Sequence, residues 1–277
     1  MDITAETQFK GEVEKGQRFE FGKNWRSFLE TLDDERIQVA ENSLKEMLGV
    51  DDLTGRTFLD AGSGSGLFSL AARRLGAKVH SFDYDPSSMG CALELRSRYF
   101  EGDSDWTVER GSVLDKDYLR SLGDFDIVYS WGVLHHTGDM WNALDNVAGS
   151  VKAGGLLFIS IYNEQGTTSR FWLWVKRLYN RSTLGKAAMC AIFIPYYFLI
   201  SLGSSIKHKR NAFKAYKEQR GMSITHDWYD WLGGYPFEVA KVEELFHFYK
   251  DRGFRLENLL TTNSAGTNQL VFLKEKA

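Results

Sequence analysis

Thr57-Phe58-Leu59-Asp60-Ala61-Gly62-Ser63-Gly64-Ser65-Gly66-Leu67-Phe68-Ser69-Leu70-Ala71-Ala72 reads as a buried strand, a glycine turn and the start of a helix. The strand ends in an acid, Asp60, and the glycines that follow are spaced G-x-G-x-G. Such a loop turns tightly and lets a ligand approach the backbone where a Cβ would collide. Leu67, Leu70, Ala71, Arg74 and Leu75 then recur at helical spacing, with the apolar members facing a sheet. A dinucleotide fingerprint would need its third glycine where Leu67 stands, so the loop departs from the pattern that places a pyrophosphate on a helix N-terminus.

The signals around this unit alternate between strand and helix. Lys78 to Asp83 reads as a second strand ending in an acid, and Asp83 lies 21 positions after Gly62, near the ~20 expected of a ribose-binding carboxylate. Asp85-Pro86 follows as N-cap and first helical residue. A third strand is expected at Trp106 to Glu109, ahead of Gly111-Ser112-Val113-Leu114-Asp115. The fourth, Phe125 to Ser130, runs into Trp131-Gly132-Val133-Leu134-His135-His136. The fifth, Leu156 to Tyr162, follows Lys152-Ala153-Gly154-Gly155, which reads as a helix stop and turn. Val242 to Tyr249 has helical spacing, and Arg255 to Thr261 with Gln269 to Leu273 reads as an antiparallel pair closing the sheet.

The D-x-G-x-G-x-G form, with its second acid at Asp83, resembles the class I S-adenosylmethionine (SAM)-dependent methyltransferases, and most nearly their small-molecule branch that includes the ubiquinone-biosynthesis type. The resemblance covers about the middle hundred residues. It implies an α/β chain with a Rossmann-like doubly wound sheet, mostly parallel with an antiparallel C-terminal strand, and a helical insertion as lid. It also implies SAM as cofactor: Asp60 toward its ammonium end, Gly62, Ser63, Gly64 and Gly66 as the loop, and Asp83 with Tyr84 at the ribose. In the family an acid after the third strand meets the adenine amino group; here Ser112 stands there, beside Val113. Ser130, ending the fourth strand, completes the expected cofactor set together with Trp25. That tryptophan belongs to an aromatic arm, Phe19 to Trp25, of a kind that folds over the methionine end in similar enzymes.

Length and composition fit one domain over 1–277, with an N-terminal arm and helix at 1–50 and the lid insertion at 164–236; 43% hydrophobic content is ample for a core and excludes a disordered chain. Cys91 and Cys190, the two cysteines, lack metal-site or disulfide-framework spacing, so no metal is expected. Met1 to Glu6 lacks the basic region and apolar core of a secretory signal, and a cytoplasmic location is expected. The net charge of −3 hides an asymmetry: Glu164 to Pro236 holds 11 basic and 4 acidic residues, the remainder 23 and 33. Inside this basic, aromatic segment, Ala187 to Ile206 is a run of 20 residues without a formal charge. By length it is a membrane-span candidate. A single crossing, however, would separate the fifth strand from the closing strands, and Pro195 is expected to break or kink a helix. A lid of one or two helices, a dimer contact or an element peripheral to a membrane remain, the last with Lys207, Lys209, Arg210, Lys214 and Lys217 at the headgroups.

Methyl transfer from SAM is an in-line displacement, in which the protein holds an acceptor lone pair behind the methyl group and excludes water. A hydroxyl acceptor must also lose its proton, and a histidine near neutral pKa suits that task. His135 and His136 follow the fourth strand at the carboxyl edge where α/β sheets bind ligands, and His226-Asp227 is the second candidate pair. Tyr162-Asn163, Tyr235 and Glu238 are candidates for the pocket wall. The expected reaction is methylation of a small, partly apolar or aromatic acceptor at oxygen. An RNA methyltransferase using the basic insertion is the alternative. The Asn/Asp-Pro-Pro-aromatic motif of base-amino methyltransferases is replaced here by Ser130-Trp131-Gly132-Val133, so a nucleic-acid substrate is not expected. A SAM-binding partner subunit without turnover is the third reading.

Overall fold

The computed structural model describes residues 3–208 and 224–276. The chain begins with helices α1 (Ile3–Glu14), α2 (Gly22–Leu29) and α3 (Asp34–Leu48). Then follow β1 (Thr57–Ala61), α4 (Leu67–Arg74), β2 (Lys78–Asp83), α5 (Pro86–Tyr99), β3 (Trp106–Arg110), α6 (Lys116–Leu122), β4 (Phe125–Trp131), a single 3₁₀ turn at Leu134–His136, α7 (Met140–Gly149) and β5 (Val151–Tyr162). The insertion supplies α8 (Thr167–Arg181), α9 (Thr183–His208) and α10 (Ile224–Gly233), and α11 (Val242–Lys250), β6 (Phe254–Leu260) and β7 (Thr267–Lys274) finish the chain.

The seven strands form one sheet in the order β3-β2-β1-β4-β5-β7-β6. The pairs from β3 to β5 are parallel, and β7 runs antiparallel to both β5 and β6. Period-two alternation sends successive side chains to opposite faces. Phe58, Ile127, Phe158 and Val271 pack with α3, α4 and α5, whereas Leu59, Val128, Leu157 and Phe272 pack with α7 and α11. Each such side chain contributes about 1.5–3 kcal/mol by leaving water, and both faces are covered, as parallel sheets require. Strand order reverses between β1 and β4, which opens a crevice at their carboxyl ends.

Two local expectations are corrected. Gly154-Gly155 is no turn: β5 runs unbroken from Val151, and its register against β4 jumps between Phe125↔Val151 and Ile127↔Leu156, so the glycines lie in a bulge. Pro195 does not break the apolar run: α9 continues through it for 26 residues. Proline removes one backbone donor, and packing of α9 against α8 and α10 holds the helix across the gap, through Met189, Phe193 and Tyr197 beside Val175, Tyr179 and Leu232. Lys209, Arg210, Lys214 and Lys217 lie outside the described residues, as does the side chain of Lys207.

Candidate functional site

A cavity of about 1690 Å³ occupies the crevice. Small-molecule sites commonly measure about 300–1,000 Å³, so this one has room for a cofactor and an acceptor together. Trp25, Asp60, Gly62, Ser63, Gly64, Asp83, Tyr84, Ser112 and Val113 line one end of it, and His135, His136, Tyr162, Asp230 and Trp231 line the other.

At the glycine-loop end, adjacent strands each carry a carboxylate near their carboxyl end: Asp60, one residue before the end of β1, and Asp83, the last residue of β2. Asp83 accepts hydrogen bonds from the backbone N–H of Gly64 and of Asp85, both at 2.9 Å, which fixes the glycine loop against β2. Withdrawal from water raises its pKa to about 6 against those two bonds. Asp60 is buried and accepts from the Ser69 hydroxyl; desolvation, with the neighbouring Asp83 charge adding to it, raises its pKa to about 7. Both groups therefore favour a ligand that brings positive charge or hydroxyl donors. The hydroxyls of Ser63 and Tyr129 are buried without a protein partner and line the same wall. Carboxylates, orphan hydroxyls and flanking aromatic rings form a donor set suited to a nucleoside bearing an ammonium group. Trp25, in α2, closes over the loop: a Cβ on Gly64 would lie 3.3 Å from its indole nitrogen. Tyr84 hydrogen-bonds Glu12 of α1, with the Arg18 guanidinium 4.9 Å from its ring centroid. Ser112 instead turns its hydroxyl to the Leu114 N–H.

Two expected cofactor residues do not line the cavity. Ser130 gives its hydroxyl to the Ala61 carbonyl at 2.8 Å, stitching β4 to β1, and Tyr129, one residue earlier and thus on the other face, lines the site. Gly66 caps α4 at φ +80°, and a Cβ there would lie 2.7 Å from the Ala92 backbone. Its role is close packing of α4 on α5.

The adjacent histidines take different roles. His135 is the more deeply buried of the two, at 1% exposure against 8%, and its Nδ1 accepts from the Tyr162 N–H at 3.4 Å. His136 Nδ1 lies 2.6 Å from the Pro236 carbonyl, which can only accept, so that nitrogen carries the hydrogen and Nε2 keeps its lone pair. Burial lowers the His136 pKa to about 3, so the ring is neutral. Phe21 packs against it at 5.0 Å between centroids and Tyr162 at 5.5 Å. His226 lies in the first turn of α10, and its side chain is outside the described residues.

Of the other candidates, Tyr162 lines the wall. Asn163 ties β5 to the β6–β7 hairpin through the Thr262 carbonyl and Asn268, while Glu238 accepts from the N–H groups of Gly138 and Met140 at the start of α7. The Tyr235 carbonyl accepts from the Phe19 N–H, pinning the arm. Sequence reading missed Arg18, which donates to the His136 carbonyl at 3.2 Å, and Asp230, which accepts from Asn24 at 2.5 Å and joins the arm to the insertion. It also missed the hairpin residues Thr262, Ser264 and Gln269 on the cavity wall. Asp230 lies one helical turn beyond Asp227, a spacing that could have pointed to it.

A family described as a methyltransferase domain matches residues 32–196. Over 111 residues the chain is 36% identical to a ubiquinone biosynthesis O-methyltransferase of Xanthomonas campestris pv. campestris, covering 40% of this chain and 45% of that protein. Over 119 residues it is 33% identical to a tRNA U34 carboxymethyltransferase of Methylococcus capsulatus, covering 43% of this chain and 36% of that one. The similar stretch thus spans less than half of either relative. A magnesium protoporphyrin IX methyltransferase from Synechocystis, solved with bound S-adenosylhomocysteine, shares the fold with a TM-score of 0.55 at 14% identity, over 91% of this chain and 94% of that one.

Proposed function

The chain belongs to the methyltransferase-domain family as a class I SAM-dependent enzyme, and from that premise we propose that it methylates a small, partly apolar or aromatic acceptor at a hydroxyl oxygen. The observation that carries this reading is His136, a neutral imidazole with its Nε2 lone pair uncommitted on an aromatic wall of the cavity.

When bound, SAM supplies an electrophilic methyl group on a sulfonium. Asp83 would accept from the ribose hydroxyls and Asp60 would face the ammonium end, with Trp25 over the loop. Phe21, Tyr162 and Trp231 exclude water and present flat apolar surface to the acceptor ring. A hydroxyl acceptor taking that methyl group would release its proton to His136 Nε2. An oxygen gaining a methyl group becomes strongly acidic, so even a weakly basic imidazole accepts its proton at that moment. The Pro236 carbonyl holds the resulting cation, because it hydrogen-bonds the opposite nitrogen.

Transfer of tritiated methyl from SAM into separated phenolic, lipid and RNA fractions tests the proposal. Label in a small-molecule ether is expected. Label confined to RNA would replace the acceptor class, and label in no fraction despite calorimetric SAM binding would favour a partner subunit without turnover.

A further inference from the structure

The insertion presents an apolar ledge that the described residues leave exposed. Thr183–Gly203 is long and apolar enough to cross a membrane by length and composition, yet little of it is buried. One side of α9 packs against α8 and α10: Phe193 lies 5.4 Å from Trp172 and Tyr197 5.8 Å from Trp228, centroid to centroid. On the other side Leu184, Ile192, Tyr196, Leu199 and Leu202 project within an arc of about 120°, at the 100° per residue of an α-helix. Their exposures reach 78% at Leu184, 58% at Ile192 and 64% at Leu199, and on α8 Trp174 adds 56%. Surface helices normally turn a polar face to water, and a contiguous exposed apolar face of this kind marks an interaction surface.

Charge selects the occupant. No acidic residue occurs between Thr167 and His208, while Arg170, Arg177 and Arg181 are exposed on the same side of α8 as Trp174, and Lys186 is exposed in α9. The sequence immediately beyond adds Lys209, Arg210, Lys214, Lys217 and Arg220 against a single acid, Glu218. A symmetric contact between two copies would set this positive rim against itself, at an electrostatic cost. An apolar face bordered by basic residues and a tryptophan instead matches the boundary of an anionic bilayer. A single crossing is excluded, since β5 and β7, on either side of α9 in sequence, pair from Leu156↔Leu273 to Tyr162↔Thr267. We infer that α8 and α9 lie flat on an anionic phospholipid surface, with the apolar side of α9 in the acyl boundary and the α8 arginines at the headgroups. Tyr197 and Ile200 of the same helix line the cavity, so its wall adjoins the lipid. The inference stands apart from the choice of acceptor.

The test is sedimentation of the full chain with vesicles of phosphatidylcholine, alone or mixed with phosphatidylglycerol, at low and high salt. Co-sedimentation with the mixed vesicles is expected, weakened by salt and by omission of phosphatidylglycerol. Ile192→Glu with Leu199→Glu should reduce partitioning roughly 100-fold, and Arg177→Gln with Arg181→Gln roughly 10- to 30-fold. None of these four residues lines the cavity, so unchanged SAM affinity by calorimetry verifies folding. If the glutamate pair fails to fold, the glutamine pair and the salt dependence decide. Wild-type protein left in the supernatant overturns the inference, as does binding indifferent to both pairs. A dimer that the glutamate pair dissociates, without vesicle binding, would assign the face to a second copy instead.

Discussion

At the scale of single residues, the two histidines differ in burial and in the partner of Nδ1. His136→Ala should slow single-turnover methyl transfer by roughly 10² to 10⁴, the range for loss of a positioned base, with little change in SAM affinity. His135→Ala should act mainly on stability, lowering the melting temperature, because it strips a partner from the Tyr162 N–H. Sequence reasoning expects a rate that falls as pH drops through a near-neutral histidine pKa. With His136 held near 3, the neutral ring persists from pH 8 to pH 5, so no such limb arises from it at saturating SAM. The acid limb belongs to cofactor binding. Asp60 and Asp83, raised to about 7 and about 6, take up protons in the ligand-free fold, and those protons must leave as positive charge or hydroxyl donors bind. Raised folded pKa values also mean that the ligand-free fold loses stability as pH rises from about 4 toward 7. The melting shift produced by a fixed SAM concentration should therefore grow between pH 5.5 and 8, and affinity should fall about tenfold for each unit below the carboxylate pKa. A shift that stays constant with pH would refute that assignment.

At the scale of elements, the glycine loop and α2 act as one device. Gly64→Val should weaken SAM binding by displacing Trp25, because its Cβ points at the indole, and the positive φ of 54° adds strain. Calorimetry on Gly64→Val and Trp25→Ala, singly and combined, should then show losses that do not add; additive losses would place the valine in ligand space instead. Along α9, Pro195→Ala restores a backbone donor in an exposed helix interior and should raise stability by up to about 3 kcal/mol, with SAM affinity unchanged. Thermal melting with calorimetry checks both halves.

At the scale of the whole molecule, the insertion is separable from the sheet. Its own small core of Val175, Tyr179, Met189 and Leu232 stands apart from the two layers that sandwich the strands. Replacing Thr167–His208 with a short linker should leave SAM binding within a few fold, while acceptor turnover and vesicle binding are both lost; retained turnover would remove the insertion from the mechanism. The sequence by itself determined the succession of strands and helices, the loop and the carboxylates near the carboxyl ends of β1 and β2. Those follow from local rules, since apolar periodicity, cap residues and glycine spacing act within a few positions of one another. It left unresolved what holds His135 and His136, and it chose Ser130 where Tyr129 faces the cavity. Tertiary structure decided both, because Pro236, Tyr162 and Ala61 are distant in sequence and reach these side chains only when the sheet and loops close. The same holds for Arg18, Asp230 and the hairpin residues on the cavity wall. They lie far apart in sequence, and only packing brings the arm, the insertion and the hairpin to one crevice.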